Sequence, residues 1–262
     1  MQSNKILTLL SDFGLSDVYV GVIKGAIAQI NPALNVIDLT HQIPPQNIAA
    51  ARFCLMNAYA YFPNGTVHVA VVDPGVGSTR RAIAVEFAQG YLVGPDNGLF
   101  SGVLSQSPAF AAVELTNPEY WRIAAPSSTF HGRDIFAPVG AHLASGANLT
   151  QLGEQIDINT LVQLDVAPVR ITPSIIYGCI QYIDGFGNSI TNISGSYVQQ
   201  NWNVIANGLH ILGGKTYSDV EVGNAIALVG SHGYIEIAIA NGNACLQLQL
   251  KLGTQVQVLI RC

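Results

Sequence analysis

The first half of the chain alternates short apolar runs with amphipathic segments. Residues 6–10 form an all-apolar run that ends in Ser11 and Asp12, which is typical of a buried parallel strand. Further strands are predicted over short apolar runs at residues 36–39, 66–72, 82–87 and 91–93. A first helix is predicted to begin after Ser16 or Asp17, either of which could cap it, and to end at Pro32. Two further helices are predicted over residues 48–61 and 136–145. Repeated β-α-β units of this kind predict an α/β domain with an open, largely parallel sheet and helices on both faces.

The pattern changes after about Gly146. Beyond Pro168, short apolar runs are separated by Gly and Asn turns, and helical periodicity is nearly absent. These runs are predicted as strands over residues 175–183, 226–229, 234–240, 246–250 and 256–260. Residues 246–250 alternate Leu and Gln, which is typical of a half-exposed antiparallel strand. We therefore predict an α/β domain over residues 1–167 and a smaller all-β domain over residues 168–262.

Composition narrows the class of protein. The 262 residues carry 11 basic and 16 acidic side chains, a net charge of −5, so no basic footprint for nucleic acid is present. Hydrophobic residues make up 49% and charged residues 10%, which excludes a disordered chain. No stretch of the sequence has the run of about 20 mostly apolar residues that a membrane-spanning helix needs. The N-terminal residues do not match the pattern of a signal peptide. We expect a soluble, cytoplasmic protein that hides part of its apolar surface in a subunit interface.

The cysteines add no further chemistry. They are scattered along the chain, at Cys54, Cys179, Cys245 and Cys262, with no Cys-x-x-Cys pair and no His at ligand spacing. This pattern favours free thiols over a metal site, and no metal or other cofactor is implied.

Two carboxylates follow predicted parallel strands, where ligands bind in open α/β sheets. Asp12 follows the first strand and Asp73 the third. Each alone is equally well explained as a helix cap or turn residue, but two at one edge indicate a site. Residues 73–81 lack the third glycine of a dinucleotide loop, yet they place Arg80 where it would keep Asp73 ionised. The alternative is an ordinary turn salt bridge, which contributes little if exposed.

Three other segments carry candidate chemistry. His131 precedes a predicted helix beside Arg133 and Asp134, and the usual His pKa of about 6.5 suits proton transfer at neutral pH. In the second domain, residues 183–188 and 230–234 are glycine-framed turns that display polar and aromatic side chains. They are either simple hairpins or turns that hold a planar base and its sugar.

The ordered set of motifs resembles a known family. The motifs are Ser11-Asp12-Phe13-Gly14, Asp73-Pro-Gly-Val-Gly-Ser-x-Arg80-Arg81, Gly94-Pro-Asp-Asn-Gly98, Phe130-His131-Gly-Arg-Asp134, Asp184-x-Phe-Gly-Asn188 and Ser231-x-Gly-Tyr234. Over residues 6–260 the chain resembles the S-adenosyl-L-methionine (SAM) hydroxide adenosyltransferases, or SAM hydrolases, which are relatives of the SAM-dependent fluorinase and chlorinase. The resemblance implies a Rossmann-like N-terminal domain, a β-barrel-like C-terminal domain and a homotrimer. It also implies that each SAM lies between the N-terminal domain of one subunit and the C-terminal domain of its neighbour.

The resemblance also implies site residues. The catalytic set near the sulfonium centre maps onto Asp73, Arg80 and His131. Asp12 maps onto the carboxylate that binds the ribose, and residues 241–244 onto the adenine-edge contacts. The implied substrate-binding positions together are Asp12, Asp17, Tyr19, Asp184, Phe186, Asn188, Tyr217, Ser231, Tyr234, Asn241 and Ala244.

Departures from the halogenases favour water as the nucleophile. The halogenases have Tyr, Thr, Ser, Trp and Arg where this chain has, in turn, Asp73, Val76, Gly132, Gln46 and His232. An anionic Asp73 would repel a halide but could hydrogen-bond a water. We therefore expect hydrolysis of SAM to adenosine and L-methionine by in-line attack of water at the ribose 5′ carbon.

The expected roles leave one question open. Arg80 would hold the set, while Asp73 and His131 would orient the water and take its proton; an Asp paired with Arg is a weak base, which favours His131. The alternatives are a halide-using adenosyltransferase and a non-catalytic sensor of SAM or adenosine.

Overall fold

In the computed structural model, which describes residues 5–199 and 201–260, the chain divides between Leu164 and Asp165 into two units. The expectations that rest on Met1–Asn4 and on Cys262 concern residues outside this description. Cys179 and Cys245 are free thiols. Every helix in the described part of the chain is too short or too polar to span a bilayer.

The first unit is an α/β unit, as predicted. Its strands are β1 (Ile6–Ser11), β2 (Asn35–Thr40), β3 (Thr66–Val71), β4 (Ala82–Phe87), β5 (Gly90–Pro95), β6 (Ala109–Glu114) and β7 (Glu154–Ile156). Its helices are α1 (Tyr19–Ile30), α2 (Ile48–Ala58), α3 (Ser101–Gln106) and α4 (Ala137–Ala144). The strand order is β2-β1-β3-β5-β4-β6-β7. In the central strands β1 and β3, successive residues are buried, so helices and loops cover both faces.

The sheet is mixed, and so less parallel than predicted. Strands β2, β1, β3 and β5 run parallel, whereas β5, β4, β6 and β7 pair antiparallel. The physical reason lies in the connection from β4 to β5, which is only the turn at residues 88–89. A turn this short permits an antiparallel hairpin, because a parallel crossover needs about a dozen residues or more.

The second unit is a barrel-like β structure, as predicted. Its strands are β8 (Arg170–Ile171), β9 (Ile175–Ile183), β10 (Ser189–Ser194), β11 (Trp202–Ala206), β12 (Leu209–Leu212), β13 (Ala225–Val229), β14 (Tyr234–Ile239) and β15 (Gln255–Ile260). The order is β12-β11-β15-β9-β10-β14-β13, with antiparallel pairing. A bridge between Gly213 and Ala227 links the two edges, so the sheet nearly closes on itself.

Two local predictions are wrong, and a third differs from the structure in where a helix begins. Residues 246–250 are not a strand, because the Asn243 side chain accepts from the Leu246 backbone N–H and caps a short helix, α5 (Ala244–Gln247). Neither Ser16 nor Asp17 caps α1, which begins after Val18 without a side-chain cap. A π-helical turn at Gly132–Phe136 runs directly into α4, so helical structure there starts earlier than predicted.

Candidate active site

A cleft of about 410 Å³ opens at the carboxyl ends of β1 and β3. These strands are parallel neighbours, so the loops that follow them start at the same edge of the sheet. The polar and aromatic side chains that line the cleft include Asp12, Tyr19, Gln46, Asp73, Thr129 and His131. The structure thus brings both predicted carboxylates together with the predicted histidine.

Arg80 joins Asp73 to His131. Its Nε donates to Oδ1 of Asp73 at 2.9 Å and to Oδ2 at 3.1 Å, and its Nη2 also donates to Oδ2. The same Nη2 lies 2.8 Å from Nδ1 of His131. The side chains of Arg80 and Asp73 are only 11% and 7% exposed, so this is not the exposed turn salt bridge of the alternative interpretation.

The contact with Arg80 decides the protonation of His131. A guanidinium has only donors, so Nδ1 must accept, and the neutral ring carries its proton on Nε2. Burial and the Arg80 charge lower the pKa of His131, against the opposing charges of Asp73 and Asp134. A neutral His131 therefore presents an N–H donor, and Asp73 is the acceptor of the set.

Asp134 is separated from this chemistry although it follows His131 closely in sequence. Its carboxylate is fully buried and accepts from Arg122 at 2.5 Å, from Arg133 at 2.8 and 2.7 Å and from the Ser127 backbone at 2.9 Å. Burial opposes its ionisation, but these hydrogen bonds outweigh burial and hold the pKa of Asp134 well below its usual range. The group anchors the segment that carries His131.

The backbone around Asp12 is held in place by distant contacts. Gln46 N–H donates to Oδ2 of Asp12 at 2.7 Å, and Gln46 adopts a left-handed φ of 64° that is uncommon for a residue other than Gly. Below the loop, Ser11 Oγ lies 2.7 Å from Nδ1 of the buried His41. Asp12 is thus fixed at the cleft before any ligand binds.

Asp17 and Tyr19 are the predicted substrate-binding residues that follow Asp12 in the sequence. Tyr19 lines the cleft and Asp17 does not. The Tyr19 ring packs edge-on against Phe130 at 5.3 Å and tilted against Phe13 at 6.0 Å. Phe13 and Phe130 also line the cleft. These two aromatic wall residues were missed as ligand-facing positions, although both lie inside motifs that the sequence singles out.

The second unit has its own cleft, of about 570 Å³. Four of the predicted substrate-binding residues line it: Phe186, Asn188, Tyr217 and Asn241. Asp184 holds the first two in position, because its Oδ1 accepts from the Phe186 and Asn188 backbones, each at 2.9 Å, and its Oδ2 from Asn188 Nδ2 at 3.0 Å. The turn is therefore more than a bare hairpin, since it presents an amide and an exposed ring side by side.

Four predicted residues of the second unit, including the supporting Asp184, do not line this cleft. Ser231 and Tyr234 lie at the turn between β13 and β14, and Ala244 is fully buried at the start of α5. Sequence reasoning also missed Glu236, a buried carboxylate in β14 that holds Tyr217. The signal for it was one acidic residue in an otherwise apolar strand.

The described residues contain no cluster of three or more His, Cys, Asp or Glu side chains that could hold a metal ion. Each cleft places hydrogen-bonding side chains beside aromatic rings.

Comparison with known proteins gives a consistent picture. A family model described as the SAM hydroxide adenosyltransferase N-terminal domain matches residues 7–153, and one described as the C-terminal domain matches residues 178–257. The chain is 39% identical over 260 residues to the (R)-S-adenosyl-L-methionine hydrolase of Thermus thermophilus, covering 95% of this chain and 98% of that protein. It is 38% identical to the Salinispora tropica protein of the same name, covering 96% and 97%. A solved structure of an uncharacterized conserved protein from Thermotoga maritima has a TM-score of 0.91 at 34% identity, covering 97% of this chain and 100% of that chain.

Fluorinases are more distant. The protein of that name from Nocardia brasiliensis is 26% identical over 289 residues, covering 97% of this chain and 96% of its own length.

Proposed function

The chain belongs to the SAM hydroxide adenosyltransferase family, and from this premise we propose that it hydrolyses SAM to adenosine and L-methionine. The observation that carries the proposal is the hydrogen-bonded, half-buried set of Asp73, Arg80 and His131 in a cleft that also contains Asp12. These residues offer an acceptor and a donor for one water molecule, beside a carboxylate suited to ribose hydroxyls.

The proposed reaction is an in-line displacement. Water oxygen attacks the ribose 5′ carbon, the bond from that carbon to sulfur breaks, and its electron pair stays on sulfur. The sulfonium therefore leaves as the neutral thioether of methionine, and the water proton passes to the protein. Because the leaving group is already good, the enzyme must mainly position the water, which can lower a barrier by about 7–11 kcal/mol.

The tautomer of His131 assigns the roles. Nε2–H of His131 donates to the water oxygen, and the Asp73 carboxylate accepts a water proton and takes it as the new C–O bond forms. Arg80 holds both side chains through one guanidinium. This assignment makes Asp73 the proton acceptor and departs from the sequence-based preference for His131. No metal or other cofactor has a role in the proposed reaction, in which SAM is the substrate.

Substrate binding is proposed to use both clefts. Asp12 would bind the ribose hydroxyls, and Tyr19 would lie near them. The second-unit cleft, with Phe186, Asn188 and Tyr217, would take the adenine. The relatives are named for the R epimer, and since L-methionine fixes the α carbon, R describes the sulfur centre. We propose that this chain acts on the same epimer.

We further propose that the active unit is a homotrimer. In it, the first-unit cleft of one subunit would face the second-unit cleft of a neighbouring subunit. Exposed apolar side chains beside the first cleft, such as Leu15, Val18 and Val22, support an interface there. The cytoplasmic location stays a prediction from the sequence.

The direct test is incubation of the purified protein with each sulfur epimer of SAM in heavy-oxygen water. We expect adenosine labelled at its 5′ oxygen together with L-methionine, with the R epimer consumed faster and a chelator without effect. Asp73→Asn, which keeps the shape and removes the charge, is the matched control and should be nearly inactive. A halogenated adenosine formed in the presence of chloride or fluoride would instead identify the halide-using alternative. Unchanged SAM in a folded, ligand-binding protein would identify the sensor.

A further inference from the structure

A single carboxylate is buried in the sheet of the second unit near its cleft. Glu236 lies in β14, where it is 3% exposed and pairs in register with Leu228 of β13 and Ile190 of β10. Its neighbours along the strand, Ile235 and Ile237, are fully buried. An ionised group in such surroundings is costly unless hydrogen bonds satisfy it, so its partners define its role.

Each oxygen of Glu236 accepts one hydrogen bond. The Tyr217 hydroxyl donates to Oε1 at 2.6 Å, and His232 Nε2 lies 3.0 Å from Oε2. The Tyr234 backbone N–H donates to Nδ1 of His232 at 3.1 Å, so the neutral ring carries its proton on Nε2 and donates it to Glu236. Burial and the charge of Glu236 also raise the pKa of Tyr217, which keeps its hydroxyl a donor.

The two donors belong to two different segments, of which the one with Tyr217 lines the cleft. Tyr217 begins a 3-10 turn, and its ring lines the cleft with Phe186 and Asn188. His232 follows Ser231 in the turn between β13 and β14. Gly230 leaves room for the pair, because a Cβ at this position would overlap both Oε2 of Glu236 and the His232 ring.

We propose that Glu236 is a positioning residue of the second-unit cleft, which fixes the Tyr217 ring and the Ser231–His232 turn through one carboxylate. The Tyr217 residue is 47% exposed and would otherwise sample several rotamers, so the hydrogen bond orders the ring before a ligand arrives. The pairing also occupies both ring nitrogens of His232, so the ring holds the turn between β13 and β14 in one orientation. The inference rests on the proposed function for the identity of that ligand, the adenosyl group.

The variant Glu236→Gln tests the role. The amide has no charge and one acceptor oxygen in place of two, so it cannot accept from both the Tyr217 hydroxyl and His232 Nε2–H, and the charge-assisted bonds that Glu236 forms are lost. We expect the Kd for adenosine and the KM for SAM to rise roughly 10-fold or more, with kcat changed by less than about 3-fold, because ordering the cleft acts on ground state and transition state alike. Glu221→Gln and Tyr197→Phe, exposed positions in the same unit that do not line the cleft, are the matched controls.

A second pair of variants keeps the test decisive if Glu236→Gln does not fold. Tyr217→Phe removes the hydroxyl that donates to Glu236 and retains the ring. Gly230→Ala displaces the Glu236 carboxylate and His232, because the added Cβ overlaps both. Each should weaken adenosine binding, and Tyr217→Phe combined with Glu236→Gln should weaken it by less than the product of the single effects, since they share one hydrogen bond.

Unchanged adenosine affinity in these variants, or a lower melting temperature with unchanged KM, would show that Glu236 only stabilises the fold. Calorimetry with adenosine measures the role independently of turnover. If the wild-type protein binds adenosine but does not hydrolyse SAM, the proposed reaction fails while the test of Glu236 stands.

Discussion

At the scale of single residues, one guanidinium organises the first cleft. Arg80 neutralises Asp73, and its Nη2, which donates to Asp73, also donates to Nδ1 of His131. An arginine fork suits this double role, because it holds a carboxylate with two parallel donors and keeps its charge at every relevant pH. The side chains of Asp73 and His131 are therefore held in a fixed orientation in the cleft.

Substitutions within the set should affect turnover and binding differently. Asp73→Ala, Arg80→Ala and His131→Ala should each lower kcat by roughly 10²- to 10⁴-fold, the range for positioned acid–base groups. Asp12→Ala should mainly raise KM, because a carboxylate on ribose hydroxyls holds ground state and transition state alike. Steady-state kinetics on SAM measure both parameters. Arg81→Lys, next to Arg80 but paired with Asp96, is the control and should stay close to wild type. Near-full activity of His131→Ala would contradict its role.

The lowered pKa of His131 predicts the direction of the pH dependence. The ring must be neutral for Nδ1 to accept from Arg80, and it becomes protonated only as the pH falls below its ordinary value of 6.5. We therefore expect kcat/KM to be flat from about pH 8 down to about pH 6.5 and to fall at lower pH. His131→Gln cannot titrate, so its slower reaction should keep its rate further into the acid range. A wild-type rate that increases as the pH falls below 6.5 would exclude the neutral-histidine assignment.

At the scale of elements, close packing of α4 on the sheet positions the turn that carries His131. Gly140 of α4 lies directly over β1 and β3, where an added Cβ would overlap the Val69 side chain and come within 3.3 Å of Leu7. The turn at Gly132–Phe136, which follows His131, leads without a break into this helix. The fold therefore requires a residue without a Cβ at position 140, although glycine has a low helix propensity.

Two glycine substitutions separate packing from helix propensity. Gly140→Ala should lower the free energy of unfolding by about 1–3 kcal/mol, because overpacking outweighs the better propensity of Ala. Gly25→Ala, on an exposed face of α1 with nothing within 4 Å of the new Cβ, should instead raise it by about 0.5–1 kcal/mol. Urea denaturation compares the two variants with wild type. Equal changes in both would mean that packing under Gly140 adapts.

At the scale of the whole molecule, the two clefts lie in different units, and the proposed trimer would join them across subunits. Trimers assembled from a mixture of two inactive variants test whether the site is shared between subunits. His131→Ala inactivates the first-unit cleft and Asn188→Ala the second, and equal random mixing should restore about a quarter of the wild-type activity, because that fraction of interfaces joins two intact clefts. Mixing His131→Ala with Arg80→Ala is the matched control and should restore none, since every first-unit cleft stays defective. A fully active monomer in light scattering would contradict the shared site.

The sequence by itself determined the local elements and the residue types of the sites. Apolar runs with clear turn signals gave strands at the predicted bounds, as at Ala82–Phe87 and Ile175–Ile183. The α/β and barrel-like classes follow from such runs, because burial periodicity is a local property of the chain. Asp12, Asp73 and His131 were also identified from their places after strands and before a helix.

Only the tertiary structure decided which of these groups act on one another. Residues 80 and 131 are 51 positions apart, and their contact alone makes His131 a donor and Asp73 the acceptor. The same holds for Glu236, whose tyrosine partner is 19 positions away, and for Asp134, whose partner Arg122 is 12 positions away. The charge and tautomer of a side chain depend on its burial and on hydrogen bonds to residues distant in sequence. A local sequence pattern therefore cannot predict them.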